Sequence, residues 1–131
     1  TIQPRHWEAL YQQDPQPESG AFFNPTEIRY GVPPLLAGCK ILIAADTASS
    51  TADSADDSCI VAGAIDGGGN IWILDMFVGR ISVLMFVEVL LDMFQKYPNA
   101  VSVGIESGPI GEAILPILKV RMGERRVFPP L

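Results

Sequence analysis

The run Lys40–Asp46 constrains the fold more than any other feature, because five apolar residues in succession end at a single carboxylate. Such a run lacks the alternation of polar and apolar positions, which predicts a strand covered on both faces of a sheet. The small residues at 47–50 indicate that the strand ends there. In open α/β sheets, ligands collect at such strand ends. The sequence therefore places Asp46 at a candidate site.

A second short apolar run also ends at an acid. Residues 100–105 predict a strand that closes on Glu106, and the breakers at 107–109 follow it. Carboxylate oxygens are ligands for hard divalent cations, which polarise a phosphodiester and help to deprotonate water. A turn acid is the simpler interpretation of Asp46 alone, whereas glutamate is a poor turn former. Together the two acids predict a cation site at one edge of the sheet.

The remaining patterns predict an α/β domain. Two β-rich runs flank Asp66 and three glycines, which suit a hairpin turn. Ser82 is a typical N-cap for the next helix, and Pro109 is a favoured first-turn residue of the last helix, which Gly123 would end. A new strand then starts near Val127. The predicted elements are strands at 40–46, 58–64, 71–78 and 100–106 and helices at 82–97 and 109–122.

The first predicted helix is apolar on more than one side. Its polar stripe is narrow and includes Glu88 and Asp92, so a second partner surface is expected to cover part of it. The main apolar face comprises Val83, Phe86, Val87, Leu90, Leu91 and Phe94, and the second comprises Leu84, Met85, Val89 and Met93.

Proline content and length suggest how the chain is divided. Residues 1–38 contain six of the eleven prolines, which predicts an interdomain linker. Residues 39–131 would form the folded domain, and 131 residues with 48% hydrophobic side chains allow one core. Because the chain starts at Thr1 and stops as a strand begins, we expect an excised piece whose domain is C-terminally incomplete.

Charge is unevenly distributed along the chain. The net charge of −6 argues against a uniformly basic nucleic-acid surface. Residues 41–106 hold nine acids and two bases, whereas residues 107–131 hold two acids and four bases. The four bases suit either a DNA phosphate backbone or the negative end of their own helix, and both interpretations remain open. They are Lys119, Arg121, Arg125 and Arg126.

Other polar residues and the cysteines allow further predictions. Asp57 can bind a metal or order the start of the next strand, and the loop acids at 53 and 56 are typical solvated turn residues. Asp75 interrupts an apolar strand, which fits a position facing solvent at a sheet edge. Cys39 and Cys59 open successive strands, which places them at opposite ends of an antiparallel pair and predicts reduced, buried thiols.

Missing residues exclude several classes of protein. His6 is the only histidine and lies in the predicted linker, so no Ser-His-Asp, Cys-His or histidine-rich zinc arrangement is available in the folded part. The glycines at 67–69 lack the lysine and the helix of a phosphate-binding loop. No run approaches the ~18 to 20 apolar residues of a membrane span, and we expect a soluble, intracellular protein.

This order of elements, with an acid closing the first strand and another closing the fourth, resembles the ribonuclease H-like nuclease fold. Nearly the whole chain resembles the C-terminal nuclease portion of phage terminase large subunits. Residues 9–15 and 20–23 resemble the segment where the packaging ATPase domain meets the nuclease. The other short segments that resemble this family, in the family's order, are Asp46-Thr47-Ala48, Asp57-Ser58, Trp72-Ile73-Leu74-Asp75 with Gly79-Arg80, and Gly104-Ile105-Glu106.

The resemblance implies a metal-dependent endonuclease that cleaves concatemeric double-stranded DNA during viral genome packaging. Asp46 would match the family's first metal-binding aspartate and Glu106 its second acid, with Mg²⁺ or Mn²⁺ in a two-metal site when the domain is complete. The third acid would lie on a helix after Leu131, and the ATPase domain would precede Thr1. The resemblance also implies the terminase small subunit and the portal as partners, no membrane, and the cytoplasm of the bacterial host.

Three other functions remain open. Holliday-junction resolvases and transposases share the two acids. A non-catalytic module would use the apolar helix at 82–97 to bind a partner domain. An actin-like ATPase is disfavoured, because the loop after Asp46 lacks a glycine-rich phosphate turn.

Overall fold

The computed structural model describes residues 25–48 and 57–131 of the chain. The chain divides into two compact units, Thr1–Val32 and Pro33–Leu131. In the first unit, the described residues form one 3-10 turn at Pro25–Glu27, and the residues after it are exposed. Most of the predicted linker therefore lies outside the described residues, as do Asp53, Asp56 and His6.

The described secondary structure of the second unit contains four strands and two α-helices: β1 (Lys40–Asp46), β2 (Ser58–Ile65), β3 (Ile71–Gly79), α1 (Val83–Lys96), β4 (Ala100–Ile105) and α2 (Pro109–Arg125). The strands form one sheet in the order β3-β2-β1-β4. β1 pairs antiparallel with β2 and parallel with β4, and β2 pairs antiparallel with β3. The predicted α/β class and the predicted order of elements are confirmed, and the sheet is mixed.

The turn between β2 and β3 is the predicted hairpin, and Asp66 stabilises it. Its carboxylate accepts hydrogen bonds at 2.9 Å from the N–H groups of Gly68 and Asn70 and from the indole N–H of Trp72. Gly69 has a φ of 81°, which glycine adopts at little cost. The donors, Trp72 first, lower the pKa of Asp66 to about 2, because they favour the charged carboxylate.

One face of the sheet is covered by described residues, and the other is not. Both helices contribute to the core on the covered face, where Ile43, Ile60, Leu90 and Ile114 are at most 2% exposed. Buried and exposed residues alternate along β1, so the prediction that β1 is covered on both faces is wrong within the described part of the chain. An apolar run does not reveal which element lies over each face. We call the second face the open face, and its exposed apolar residues include Leu42, Ile71, Ile73, Met76 and Val78.

β3 is an edge strand with one extra residue. Ile73 pairs with Gly63 and Asp75 with Ala62, so Leu74 forms a β-bulge between them. Asp75 lies at the sheet edge, as predicted, but it pairs with the buried Ala62 and is half-buried on the covered face rather than facing solvent. Its carboxylate is 2.5 Å from the Lys96 ammonium group of α1. This hydrogen bond is the main reason that the pKa of Asp75 is lowered.

α1 begins as predicted, and its packing differs in part. The Ser82 side chain accepts a hydrogen bond from the Met85 N–H at 3.3 Å and so caps the helix. Met93 belongs to the core, whereas Val83 is 38% exposed. Leu84 and Met85 remain more than half exposed, so no described element covers that part of the expected second surface.

α2 continues past its predicted end at Gly123. The chain leaves the helix at Arg126, which adopts a left-handed φ of 54°, and the Val127 N–H donates to the Met122 carbonyl at 3.0 Å. The predicted strand after α2 is absent from residues 127–131, although the Val103 N–H donates to the Pro130 carbonyl at 2.7 Å.

Two predictions from composition can be compared with these elements. Cys39 and Cys59 are free thiols at opposite ends of the β1–β2 pair, as predicted, but each is half-buried rather than buried. Within the described ranges, neither helix has the length and hydropathy that a membrane span requires.

Candidate functional site

The ends of β1 and β4 lie side by side at one edge of the sheet. The two strands are parallel neighbours, with Ala45 beside Ile105. Their pairing continues one residue further, because the Glu106 N–H donates to the Ala45 carbonyl at 2.9 Å. The structure thereby brings together Asp46 and Glu106, the two acids that the sequence placed at strand ends.

The two carboxyl groups contact each other. A hydrogen bond to Asp46 is the largest of the effects that raise the pKa of Glu106, and repulsion by the Asp46 charge and desolvation add to it. Two carboxyl groups can share a hydrogen bond only while one of them holds a proton, and the raised pKa of Glu106 favours a proton on its carboxyl group. Neighbouring carboxylates resist joint ionisation. A divalent cation would replace this proton and neutralise both charges.

A cleft of about 410 Å³ adjoins the two carboxyl groups on the open face. Asp46 and Glu106 form its polar end, and Cys59 lies directly across from Asp46 in the β1–β2 pairing. Ala44 and Gly104 contribute to its wall, and the space beside Gly104 is open. The carboxyl groups are therefore accessible from solvent across a surface of small side chains.

The donor set fits a hard divalent cation. Mg²⁺ and Mn²⁺ prefer oxygen ligands, and Mg²⁺ commonly takes one or two carboxylates and keeps several waters. Asp46 and Glu106 supply two carboxylates in direct contact. Within residues 25–48 and 57–131, no group of three or more His, Cys, Asp or Glu side chains is placed to hold a metal ion. The described residues thus fit a water-rich site with two protein ligands.

The first turn of α2 packs against the backbone of Glu106. A Cβ atom on Gly111 would lie 2.2 Å from the Glu106 carbonyl oxygen, far inside contact distance. Glycine allows this approach, which fixes the start of α2 relative to Glu106. Sequence reasoning missed Gly111. Its signal was a glycine within a helical segment, where alanine forms a more stable helix.

Asp57 forms an ion pair with Arg80 at the start of β2. The distance between Asp57 Oδ1 and Arg80 Nε is 3.4 Å, and both side chains are about half exposed. The neighbouring Ser58 is 2% exposed, and its hydroxyl accepts a hydrogen bond from the Ala48 N–H at 3.0 Å. Ser58 therefore ties the residues after β1 to the start of β2, an ordering role that sequence reasoning gave to Asp57.

Arg121 and Arg125 connect α2 to α1. Arg121 Nε lies 2.5 Å from a Glu88 carboxylate oxygen, and Arg125 contacts Glu88 at 3.0 Å and Asp92 at 2.6 Å. The Arg121 contact is the main reason that the pKa of Glu88 is lowered. These two arginines therefore stabilise the packing of the two helices. Lys119 and Arg126, the other predicted phosphate contacts, are exposed.

The basic group lies far along α2 from the carboxyl groups. α2 starts beside Glu106 and rises about 1.5 Å per residue, which places Lys119 about 15 Å and Arg125 about 24 Å from Pro109 along the helix. The Val103–Pro130 hydrogen bond shows that the chain then returns along β4. Lys119, Arg121, Arg125 and Arg126 therefore lie toward the opposite edge of the sheet from Asp46 and Glu106.

Comparison with protein-family models, with curated proteins and with solved structures found no match to this chain. The function proposed below therefore rests on the geometry of the site and on the resemblance of the short sequence segments to terminase large subunits.

Proposed function

We propose that this chain is the C-terminal nuclease portion of a phage terminase large subunit, with a ribonuclease H-like fold and metal-dependent endonuclease activity. The observation that supports this function most directly is the contact between Asp46 and Glu106 at the ends of the parallel neighbours β1 and β4. The strand order β3-β2-β1-β4, with a helix after β3 and another after β4, is compatible with that fold.

In this proposal, Asp46 and Glu106 hold Mg²⁺ or Mn²⁺. When bound there, the cation would polarise the phosphodiester and lower the pKa of a water molecule that it binds. Both carboxyl groups would be ionised when they hold it, so the cation competes with the proton that the raised pKa of Glu106 favours. The backbone hydrogen bond from Glu106 to Ala45 and the close packing of Gly111 keep the two side chains in register. A rigid pair loses little conformational entropy when it binds a cation.

The proposed substrate is concatemeric double-stranded DNA in the cytoplasm of the bacterial host. The proposed partners are the ATPase domain of the same protein, the terminase small subunit and the portal. The substrate and the partners are those that the resemblance of the short sequence segments to terminase large subunits implies. The open cleft beside Asp46 and Glu106 supports a polymeric substrate, because a duplex can approach a solvent-facing edge without threading.

Titration of Mn²⁺ into the isotope-labelled chain tests the paired site. Mn²⁺ is paramagnetic, so the amide signals of Asp46 and Glu106 should broaden together, and Asp46→Asn should remove both effects. Asp75→Asn is the matched control, because it neutralises a strand aspartate that pairs with Lys96 elsewhere in the sheet. Broadening at one acid alone, or an unchanged response in Asp46→Asn, would contradict a shared site.

Cleavage assays separate the alternatives. A terminase nuclease should cut linear duplex DNA with Mg²⁺ or Mn²⁺, whereas a Holliday-junction resolvase should prefer a four-way junction. A non-catalytic partner-binding domain should give neither cleavage nor a paired Mn²⁺ response.

A further inference from the structure

Arg80 lies at the same end of the strands as the two carboxyl groups. β3 ends at Gly79, which pairs with Ser58 of β2, and the next residue of β2, Cys59, pairs with Asp46 of β1. Adjacent strands lie about 4.8 Å apart, so the end of β3 is about 10 Å from the end of β1. Arg80, which directly follows Gly79, is thus two strands away from Asp46.

Arg80 also belongs to the open face. Side chains alternate along a strand, and Met76 and Val78 are exposed on the open face, so Arg80 is the next position of that series. Asp57 precedes Cys59 by two residues and therefore continues the open-face series of β2. The 3.4 Å ion pair between Arg80 and Asp57 agrees with this placement.

Arg80 supplies positive charge to an otherwise acidic edge. Asp46, Asp57 and Glu106 all lie there. In the described part of Pro33–Leu131, the other basic residues lie at the start of β1, at the end of α1, or in the second half of α2 and just after it; they are Lys40, Lys96, Lys119, Arg121, Arg125 and Arg126. A polyanion that approaches Asp46 and Glu106 therefore meets the guanidinium of Arg80.

We infer that Arg80 binds a backbone phosphate of the DNA strand that Asp46 and Glu106 engage. This inference rests on the proposed function. Successive phosphates of one strand advance about 3.4 Å along the duplex axis and also wind around it, so a separation of about 10 Å lies within a few nucleotides of the same strand. A guanidinium is a planar group with five N–H donors, which lets it contact a carboxylate and a phosphate together.

Binding of a short double-stranded DNA oligonucleotide to the 131-residue chain tests the inference. Ca²⁺, which also takes oxygen ligands, replaces Mg²⁺ or Mn²⁺, and the affinity is measured at several salt concentrations. Arg80→Gln should weaken binding severalfold and lower the slope of log affinity against log salt by about one, because one phosphate contact is lost. Arg80→Lys should keep the slope and recover part of the affinity. Arg126→Gln, which removes an exposed arginine at the opposite edge, should change neither.

Asp57→Asn separates phosphate binding from a purely structural role of the ion pair. It breaks the same ion pair as Arg80→Gln but keeps the arginine, so it should bind DNA at least as tightly as the wild type. Equal losses in the two variants, or a wild-type slope in Arg80→Gln, would overturn the inference. The Mn²⁺ titration reads the metal site separately. If Arg80→Gln binds DNA like the wild type while Mn²⁺ still binds at Asp46 and Glu106, only the phosphate contact is rejected. If Arg80→Gln weakens DNA binding while Mn²⁺ does not bind at the two acids, only the metal site is rejected.

Discussion

The carboxyl groups of Asp46 and Glu106 lie next to each other at the ends of the parallel neighbours β1 and β4, although a hairpin and a helix separate their strands in the sequence. In the metal-free chain, Glu106 holds its proton more tightly than it does when unfolded, because its pKa is raised above the ordinary value of 4.5. This contribution to stability is complete below pH 4.5 and is lost as the pH rises through the raised pKa. At higher pH, the ionised pair opposes folding until a cation binds.

Neutralising one member of the pair should stabilise the metal-free chain. We expect Asp46→Asn or Glu106→Gln to raise the midpoint of thermal unfolding at pH 7 in EDTA, because the like-charge repulsion is removed. The wild type should gain stability with Mn²⁺ by mass action, and the two variants should not. Calorimetry checks both effects, with Asp75→Asn as the control that retains the Mn²⁺ response. A lower midpoint in EDTA for both site variants would contradict the repulsion.

Gly111→Ala should disturb the site through the backbone. Because the new Cβ would lie 2.2 Å from the Glu106 carbonyl oxygen, the first turn of α2 must shift. We expect a loss of about 1 to 3 kcal/mol in the free energy of unfolding, typical of overpacking, and weaker Mn²⁺ binding. Gly123→Ala is the matched control: it is in the same helix with open space at its Cβ, and it should stabilise the chain by about 0.5 to 1 kcal/mol. Similar effects of the two variants in urea denaturation would refute the close approach.

The two faces of the sheet should respond differently to truncation. Ile60 is fully buried on the covered face, and Ile73 is 64% exposed on the open face. Ile60→Ala should therefore cost about 2 to 5 kcal/mol, and Ile73→Ala less than about 1 kcal/mol, in chemical denaturation. A cost for Ile73→Ala as large as that for Ile60→Ala would show that the open face is covered in solution.

The Asp66 hairpin should lose stability in acid. The hydrogen bonds from Trp72, Asn70 and Gly68 lower the pKa of Asp66 from 3.8 to about 2. The stability that they confer should be present above pH 3.8 and lost as the pH falls through about 2. Carboxyl chemical shifts measure the pKa directly, and a value near 3.8 would contradict these bonds. In a Trp7→Phe background, the fluorescence of Trp72 should change over the same pH range, and Asp66→Ala should abolish that transition.

The elements that the sequence predicted well are those whose signals are local. The hairpin follows from Asp66 and the glycines after it, because a positive φ at Gly69 and the carboxylate hydrogen bonds need no distant partner. α1 follows from Ser82 and an apolar face. The contact between Asp46 and Glu106 was predictable because both acids end apolar strands, and parallel neighbours bring such ends together.

The features that the sequence did not predict depend on which elements meet. Nothing in β1 indicates that helices cover one face only. Arg121 and Arg125 resemble a phosphate-binding cluster until α1 supplies Glu88 and Asp92 as partners. Gly111 acquires its role from the Glu106 carbonyl, and Arg80 acquires its place from the strand order β3-β2-β1.

The bulge at Leu74 determines which residues in the second half of β3 lie on the open face. Before the bulge, the odd-numbered residues Ile71 and Ile73 lie on the open face, and after it the even-numbered residues Met76 and Val78 do. Arg80 is the next even-numbered position, so it also lies on the open face. Deleting Leu74 would leave one uninterrupted alternation and rotate the arginine toward the helices. A single inserted residue in an edge strand thus determines on which face of the sheet the guanidinium of Arg80 lies, six positions later.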